Sequence, residues 1–542
     1  MNVRATEGAL PSETGAVARG SLVNVFAMAA GAVLGFGLTV LASRWLQPRQ
    51  AGEFFELVAL FTILSNTLGL GADTGLTRWI ASARAVGGLT DVWRVALIAL
   101  APVLAFGIAV GAGVWLAAPE FAHLLMRAVP PAQGTADIRI VAPLIPLGAL
   151  STCLIAASRG FGRMWPYLAV EGLGKPVMRI VLVVAALLGG WGLRGALAGW
   201  SLPVAVGMIA SWLIFGRMVR KEVPAAAEPL GSGSRSGLAR PFWKFTAPRG
   251  LATVFQVTAL WIGVLLVGAL LNSYNAGLYS AVSRLAMIGT LALEATRLAI
   301  APELGGLLAR REHRRAGAVY QTATGWLMLA SWPLYILFAI FPAVALSIFG
   351  HKYLAGASSL VILAAAMLVN TGTGNVTVVL LMGGKSYLNV VNTLAALAVN
   401  VGLNLILLPR IGLAGAAIAW AASIVLDNLA AVAEVWYLMG IKPVGPTYGR
   451  VILTAGVSFG LTGIAARLML GQTLVAVAAT LAAGAVIFVT CLYAQRVPLQ
   501  LTGLIEAVRT RGRPAQEPDT PARISPHEPR PGASGGLERR SA

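Results

Sequence analysis

Long apolar stretches without a charged residue recur from one end of the chain to the other, and no other feature restricts its folding so severely. The runs 20–43, 95–118, 316–350, 386–409 and 468–495 contain no Asp, Glu, Lys or Arg. A membrane helix needs about 20 mostly apolar residues to cross roughly 30 Å of hydrocarbon, and each of these runs is long enough. Shorter runs, such as 57–72 and 180–193, reach that length only by taking in an ionisable residue or a helix end. Residues 250–283 are too long for one helix and divide at Asn272–Gly277. Together these segments predict an all-α integral membrane protein of about fourteen transmembrane helices.

Composition supports this reading. Apolar residues make up 57% of the 542 positions and charged residues only 11%, against roughly 25% charged in soluble domains. A bilayer accommodates that apolar excess, whereas a soluble core of this size would not. The first apolar run has the length of a full span rather than a cleavable leader. The net charge of +20 does not imply nucleic acid, because the basic residues sit in loops between apolar runs. Most of the Lys and Arg fall on one side when loops are assigned alternately, as at Arg78–Arg94, Arg159–Arg163, Arg217–Lys244 and Arg310–Arg315. This bias predicts a multi-pass protein of the plasma (cytoplasmic) membrane with both termini in the cytoplasm.

Organisation follows from the same pattern. A cytoplasmic N-terminal segment (1–18) precedes an N-lobe of six helices (19–221). A cytoplasmic linker (222–243) leads to a C-lobe of six more (244–440), two further helices (441–495) and a basic, largely disordered cytoplasmic tail (496–542). Within the tail, Leu499–Val508 has the pattern of a short amphipathic surface helix. The two six-helix pieces resemble each other at a spacing of about 220 residues. Gly192, Leu193, Gly195, Ala196 and Trp200 recur as Gly412, Leu413, Gly415, Ala416 and Trp420, and Ala51-Gly52-Glu53-Phe54 answers Ala276-Gly277-Leu278-Tyr279. An even number of spans separates equivalent positions, so the lobes share one orientation. Such parallel repeats pair about an axis along the membrane normal and enclose a substrate site.

The segments Arg19-Gly-Ser-Leu-Val-Asn24, Ala51-Gly-Glu-Phe-Phe55, Leu68-Gly-Leu-Gly-Ala-Asp-Thr-Gly-Leu-Thr-Arg78, Ala276-Gly-Leu-Tyr-Ser-Ala-Val-Ser-Arg284 and Ile411-Gly-Leu-Ala-Gly carry a family resemblance. In order and spacing the chain resembles the polysaccharide-exporter branch of the multidrug/oligosaccharidyl-lipid/polysaccharide exporter superfamily. That branch consists of lipid-linked oligosaccharide flippases. The resemblance implies two lobes around a central cavity and transport of a polyprenyl-diphosphate-linked glycan from the inner to the outer leaflet. It also implies a role in cell-envelope polysaccharide biosynthesis, with a polysaccharide polymerase as a candidate partner. The chain is similar, more distantly, to the lipid II flippases, where an arginine early in the eighth helix meets the pyrophosphate. Arg284 is the matching position, but Ala32 and Leu38 stand near places where those flippases carry arginines. Lipid II-type transport and cation-coupled multidrug export within the same superfamily are the alternatives. The latter favours a deep carboxylate in the first or seventh helix, which this sequence lacks.

Ionisable residues inside apolar runs are the local candidates, since each is costly in lipid unless it faces a cavity or a partner. Arg284 lies one or two turns into its helix and suits a diphosphate, because a guanidinium stays charged and binds two oxygens. Glu171, Lys175 and Arg179 share one helix face at four-residue steps, which fits either an internal ion pair or a cavity wall. Arg78 follows the second span, either as a diphosphate contact or as an ordinary anchor. Glu294 with Arg297, and Asp427 with Glu434, are candidates for pairing or for coupling to a proton or monovalent cation. Asn370, Asn375, Asn392, Asn400 and Asn404 fall in two spans where amides serve either sugar hydroxyls or helix–helix contacts. Cys153 and Cys491 lie within apolar runs, the four histidines are scattered, and no phosphate-binding loop, metal spacing or catalytic set is present. The sequence therefore implies a transporter without a cofactor rather than an enzyme, and it lacks the large extramembrane loop of a membrane glycosyltransferase.

Overall fold

The computed structural model describes residues 11–85, 89–126, 129–222 and 235–495, with side chains from Met28 onward except at 90, 235 and 236. Most of the expected linker, the expected tail with Leu499–Val508, and the first residues of the N-terminal segment lie outside these. Among the described residues the secondary structure is helical, with no strand. In chain order the helices are α1 (Pro11–Trp45), α2 (Pro48–Leu68, resuming as Ala72–Ala85) and α3 (Val92–Leu116). They continue as α4 (Pro131–Gly160), α5 (Trp165–Leu188), α6 (Gly192–Glu222) and α7 (Arg235–Leu270). The second set begins with α8 (Ser273–Ala309), α9 (His313–Ile340) and α10 (His351–Gly372, resuming as Val376–Met382). It ends with α11 (Ser386–Ile411), α12 (Leu413–Met439), α13 (Tyr448–Leu470) and α14 (Leu474–Ala494).

Thirteen of these helices are long and apolar enough to cross a membrane. The remaining one, α5, contains Glu171, Lys175 and Arg179, and after its first turn it has a π-helical stretch over Leu168–Gly174. Counting it completes the fourteen expected from the sequence. The long apolar run 250–283 divides where Asn272 leaves helical geometry and its side chain accepts the Asn275 backbone N–H at 3.0 Å. Inside α2 the break falls at Leu70 and Gly71, both in the left-handed region at φ 49° and 75°.

Packing expresses the repeat. Phe54 meets Trp200 edge-on with ring centroids 6.5 Å apart, and the equivalent pair Tyr279 and Trp420 also stands at 6.5 Å. Between the lobes, α2 packs against the start of α8 through Gly52 and Gly277. The second segment of α2 packs on α7, where a Cβ on Gly71 would lie 2.6 Å from the Gly250 nitrogen. The two interfaces that the repeat makes equivalent are nevertheless unequal. The seventh helix follows α2 along both of its segments, whereas α1 touches α8 only sparsely. Gly35 and Gly37 on α1 face open space, and Val33 is 64% exposed. The final two helices pair through Phe459 and Phe488, 5.5 Å apart.

Candidate functional site

Between the lobes lies a cavity of about 560 Å³, walled by α1, α2, α5, α6, α7 and the first half of α8. Its apolar lining includes Ala32, Leu38, Phe54 and Met287, and its charged groups are Arg179 and Arg284. The guanidinium of Arg179 lies 4.4 Å from the centre of the Trp200 ring, and its Nε donates to the Trp200 carbonyl oxygen at 3.3 Å. The Arg284 guanidinium lies 4.3 Å from the centre of the Trp261 ring. Stacking on an indole stabilises the cation by about 1–2 kcal/mol when it is shielded from water. It leaves the in-plane N–H groups available to an anion. Neither arginine has a carboxylate within 4.0 Å among the described residues. One lobe supplies Arg179 and the other Arg284, so the cavity joins two unpaired cations from opposite sides of the repeat. A fixed cation in a low-dielectric wall attracts an anion far more strongly than it would in water.

The other sequence candidates are distributed differently. Lys175 is buried, with Nζ 2.5 Å from Glu171 Oε1 and 2.9 Å from Ser151 Oγ, and Ser151 lies 3.2 Å from Ser211 Oγ. It is a closed pair behind the cavity wall rather than part of the lining. Arg78 is exposed on the second segment of α2. Arg297 donates to Glu294 at 3.2 Å. This pair shares a separate 460 Å³ cavity, between α7, α8, α10, α11 and α12, with Gln256, Asn389, Thr393 and Asp427. There one Asp427 oxygen is buried without a hydrogen-bond partner.

The five asparagines do not line the central cavity. Asn392 donates to Glu434 Oε2 at 2.8 Å, Asn400 to Ser423 Oγ at 3.3 Å, and Asn404 to Asn400 Oδ1 at 2.7 Å. Asn370 accepts from Asn428 at 3.0 Å, while Asn375 donates to the Leu293 carbonyl at 3.2 Å. Each amide is therefore engaged in joining helices or closing a helix turn of the second lobe.

Two features escaped the sequence reading. Trp200 and Trp261 serve as platforms for arginines, although neither stands at a span end. Glu56 on α2 is 2% exposed, and its Oε2 accepts from Ser273 Oγ of α8 at 3.0 Å. Its other oxygen has no partner, and it lies against Gly268 of α7. The signal was present in Glu56, one helical turn beyond the Arg49–Glu53 pair and at the start of an apolar run.

Paired six-helix lobes about a cationic cavity, with two appended helices, give the chain a multi-pass membrane fold. The chain belongs to the family described as Polysaccharide biosynthesis protein, whose model matches residues 17–302. The fold is similar to that of the lipid II flippase MurJ in an inward closed conformation, with a TM-score of 0.66 at 11% identity over 88% of this chain and 99% of that one. It is similar to a multidrug resistance MATE family transporter of the MOP superfamily in an inward-facing conformation, with a TM-score of 0.58 at 16% identity over 78% and 94% of the two chains. A MOP superfamily transporter from Pyrococcus furiosus with reverse polarity of its binding pocket gives a TM-score of 0.55 at 18% identity over 79% and 95% of the two chains. No curated protein matches the sequence.

Proposed function

We propose that this protein is a flippase that moves a polyprenyl-diphosphate-linked oligosaccharide from the inner to the outer leaflet for cell-envelope polysaccharide biosynthesis. The observation that carries this reading is the placement of Arg179 and Arg284, one from each lobe, as unpaired cations in one cavity. A diphosphate joined to a lipid at one end and a sugar at the other carries two negative charges, and guanidinium groups bind phosphate oxygens bidentately. The basic loops put the starts of α1 and α7 on the cytoplasmic side. In this scheme the headgroup enters the cavity, the diphosphate bridges the two lobes, and rocking of one lobe against the other exposes it to the outer side. The sparse contact between α1 and α8 lets the tail remain in lipid. Glu294 and Asp427, beside the second cavity, are the candidates for coupling to a proton or monovalent cation, and a polysaccharide polymerase would receive the product.

Two alternatives fit less well. A cationic drug is repelled by a cavity whose charged lining groups are both arginines, and a lipid II headgroup would find Ala32 and Leu38 rather than cations on α1. The test is complementation of a strain lacking the gene. Arg179→Ala/Arg284→Ala protein should reach the membrane and yield no surface glycan, with lipid-linked oligosaccharide collecting on the cytoplasmic leaflet. Unaltered surface glycan from that variant overturns the reading.

A further inference from the structure

A third cavity, of about 500 Å³, opens between the second segment of α2 and the beginning of α7. Trp79, Leu238, Phe242 and Phe245 form apolar walls, and Arg78 and Lys244 bring charge to it. The Arg78 guanidinium lies 3.9 Å from the centre of the Phe245 ring, and that of Arg249 lies 5.4 Å from the same ring. Arg78, Lys244 and Arg249 are all exposed, and none has a carboxylate within 4.0 Å among the described residues. Ordinary surface cations of a membrane protein stand apart in water. Here two arginines converge on one aromatic ring beside an apolar recess that Lys244 also lines.

The recess is held by close backbone packing. A Cβ on Gly75 would lie 2.3 Å from Thr246 Oγ1 and 2.8 Å from the Phe242 ring, so only glycine lets α2 approach α7 this closely. The adjoining contact of Gly71 with Gly250 requires the left-handed turn at Leu70 and Gly71. Phe245 and Trp261 lie on the same helix. At 1.5 Å per residue they are about 24 Å apart, most of a hydrocarbon thickness. The recess is thus a station distinct from the central cavity, at the membrane boundary where α7 begins.

We propose that this recess binds the phosphate end of a membrane lipid bearing two or more negative charges, a diphosphate or a phosphomonoester, with the first part of its tail against Trp79, Leu238 and Phe242. Two lining cations, with Arg249 against the same Phe245 ring, match such a headgroup, whereas a phosphodiester lipid carries a single negative charge and leaves the rest of that charge unbalanced. The Phe245 ring restrains Arg78 and Arg249 at low entropic cost, which preorganises the site for a compact anion. That the bound lipid is the transported substrate rests on the function proposed above; the anion site itself does not.

The experiment uses full-length protein in phosphatidylcholine nanodiscs, titrated with geranylgeranyl diphosphate. An Arg179→Gln/Arg284→Gln background removes the central cations, and this variant should still bind the probe. Adding Arg78→Gln/Lys244→Gln should weaken the remaining binding about ten-fold or more, and Phe245→Leu should weaken it by a smaller factor. All of these added positions except Phe245 are exposed, and size-exclusion profiles confirm that each variant is folded. Phosphatidylglycerol incorporated into the nanodisc should compete poorly. Unchanged affinity in the quadruple variant overturns the proposal, as does equal competition by phosphatidylglycerol, which would make the recess a general anionic-lipid patch. If the central double variant still supports surface glycan while the quadruple variant loses binding, the flippase scheme fails and this site stands.

Discussion

Gly52 of α2 and Gly277 of α8 meet backbone to backbone across the division between the lobes. A Cβ on Gly52 would lie 1.6 Å from the Ser273 carbonyl oxygen, and one on Gly277 would lie 2.2 Å from that of Pro48. Both glycines belong to the Ala-Gly dipeptides that the repeat makes equivalent, so the approximate two-fold axis passes between them. Small residues permit this approach of helices in lipid, where packing rather than water exclusion drives association.

Gly52→Ala should therefore be among the most damaging single substitutions in the molecule. The methyl group has no flexible neighbour to displace, and we predict a cost of about 3 kcal/mol or more. Gly35→Ala on α1 faces open space and should leave thermal stability unchanged. Thermal unfolding of the two purified variants in detergent checks the contrast.

Arg284→Lys should separate charge from geometry. Lysine keeps the cation but loses the fork and the planar stack on Trp261, so transport should fall roughly ten-fold. Arg284→Ala should fall to the level of the empty membrane. Appearance of labelled lipid-linked oligosaccharide in the outer leaflet measures both. Equal rates for lysine and arginine would show that stacking on the indole is irrelevant.

The pair Glu171 and Lys175 should behave asymmetrically. The lysine side chain is 7% exposed and the glutamate 27%. Glu171→Gln strands a buried ammonium and should destabilise by about 3 kcal/mol. Lys175→Met leaves the less buried partner of the pair and should cost less, while the double variant should recover most of the loss. A double-mutant cycle in thermal stability checks this ordering. A cycle with no coupling would contradict the closed pair.

Glu56 and Ser273 link α2 to α8 beneath the Gly52–Gly277 contact. Ser273→Ala removes the donor to a buried carboxyl and should cost about 1–3 kcal/mol. Glu56→Gln keeps an acceptor for Ser273 without a charge, and should leave stability equal or raised. Denaturation midpoints of both variants test this, and a strongly unstable Glu56→Gln would contradict it.

Much of the architecture was legible in the residues because lipid imposes a blunt length rule. Span count, the break near Asn272 and the repeat through Trp200 and Trp420 all follow from apolar runs and recurring glycines. The fifth helix was recognisable only by accepting Glu171, Lys175 and Arg179 inside it, and their four-residue spacing already suggested the Glu171–Lys175 pair. The site was less legible. Asparagine has the same chemistry whether it meets a hydroxyl or another helix, so the spacing of Asn392, Asn400 and Asn404 did not decide between those uses. The stacks on Trp200 and Trp261 depend on tertiary approach between helices, which no local pattern encodes. Glu56 went unnoticed because its partner, Ser273, lies 217 positions away along the chain.

The unequal pairing of α1 with α8, against the snug run of α7 along α2, has a bearing on what the molecule is able to measure. A slot on one flank leaves any hydrocarbon chain outside the protein, free to sway among its neighbours while the polar end travels. Under the proposed flippase function, carriers of quite different isoprenoid length would cross at similar speed, and selection would fall on the sugar-phosphate portion alone.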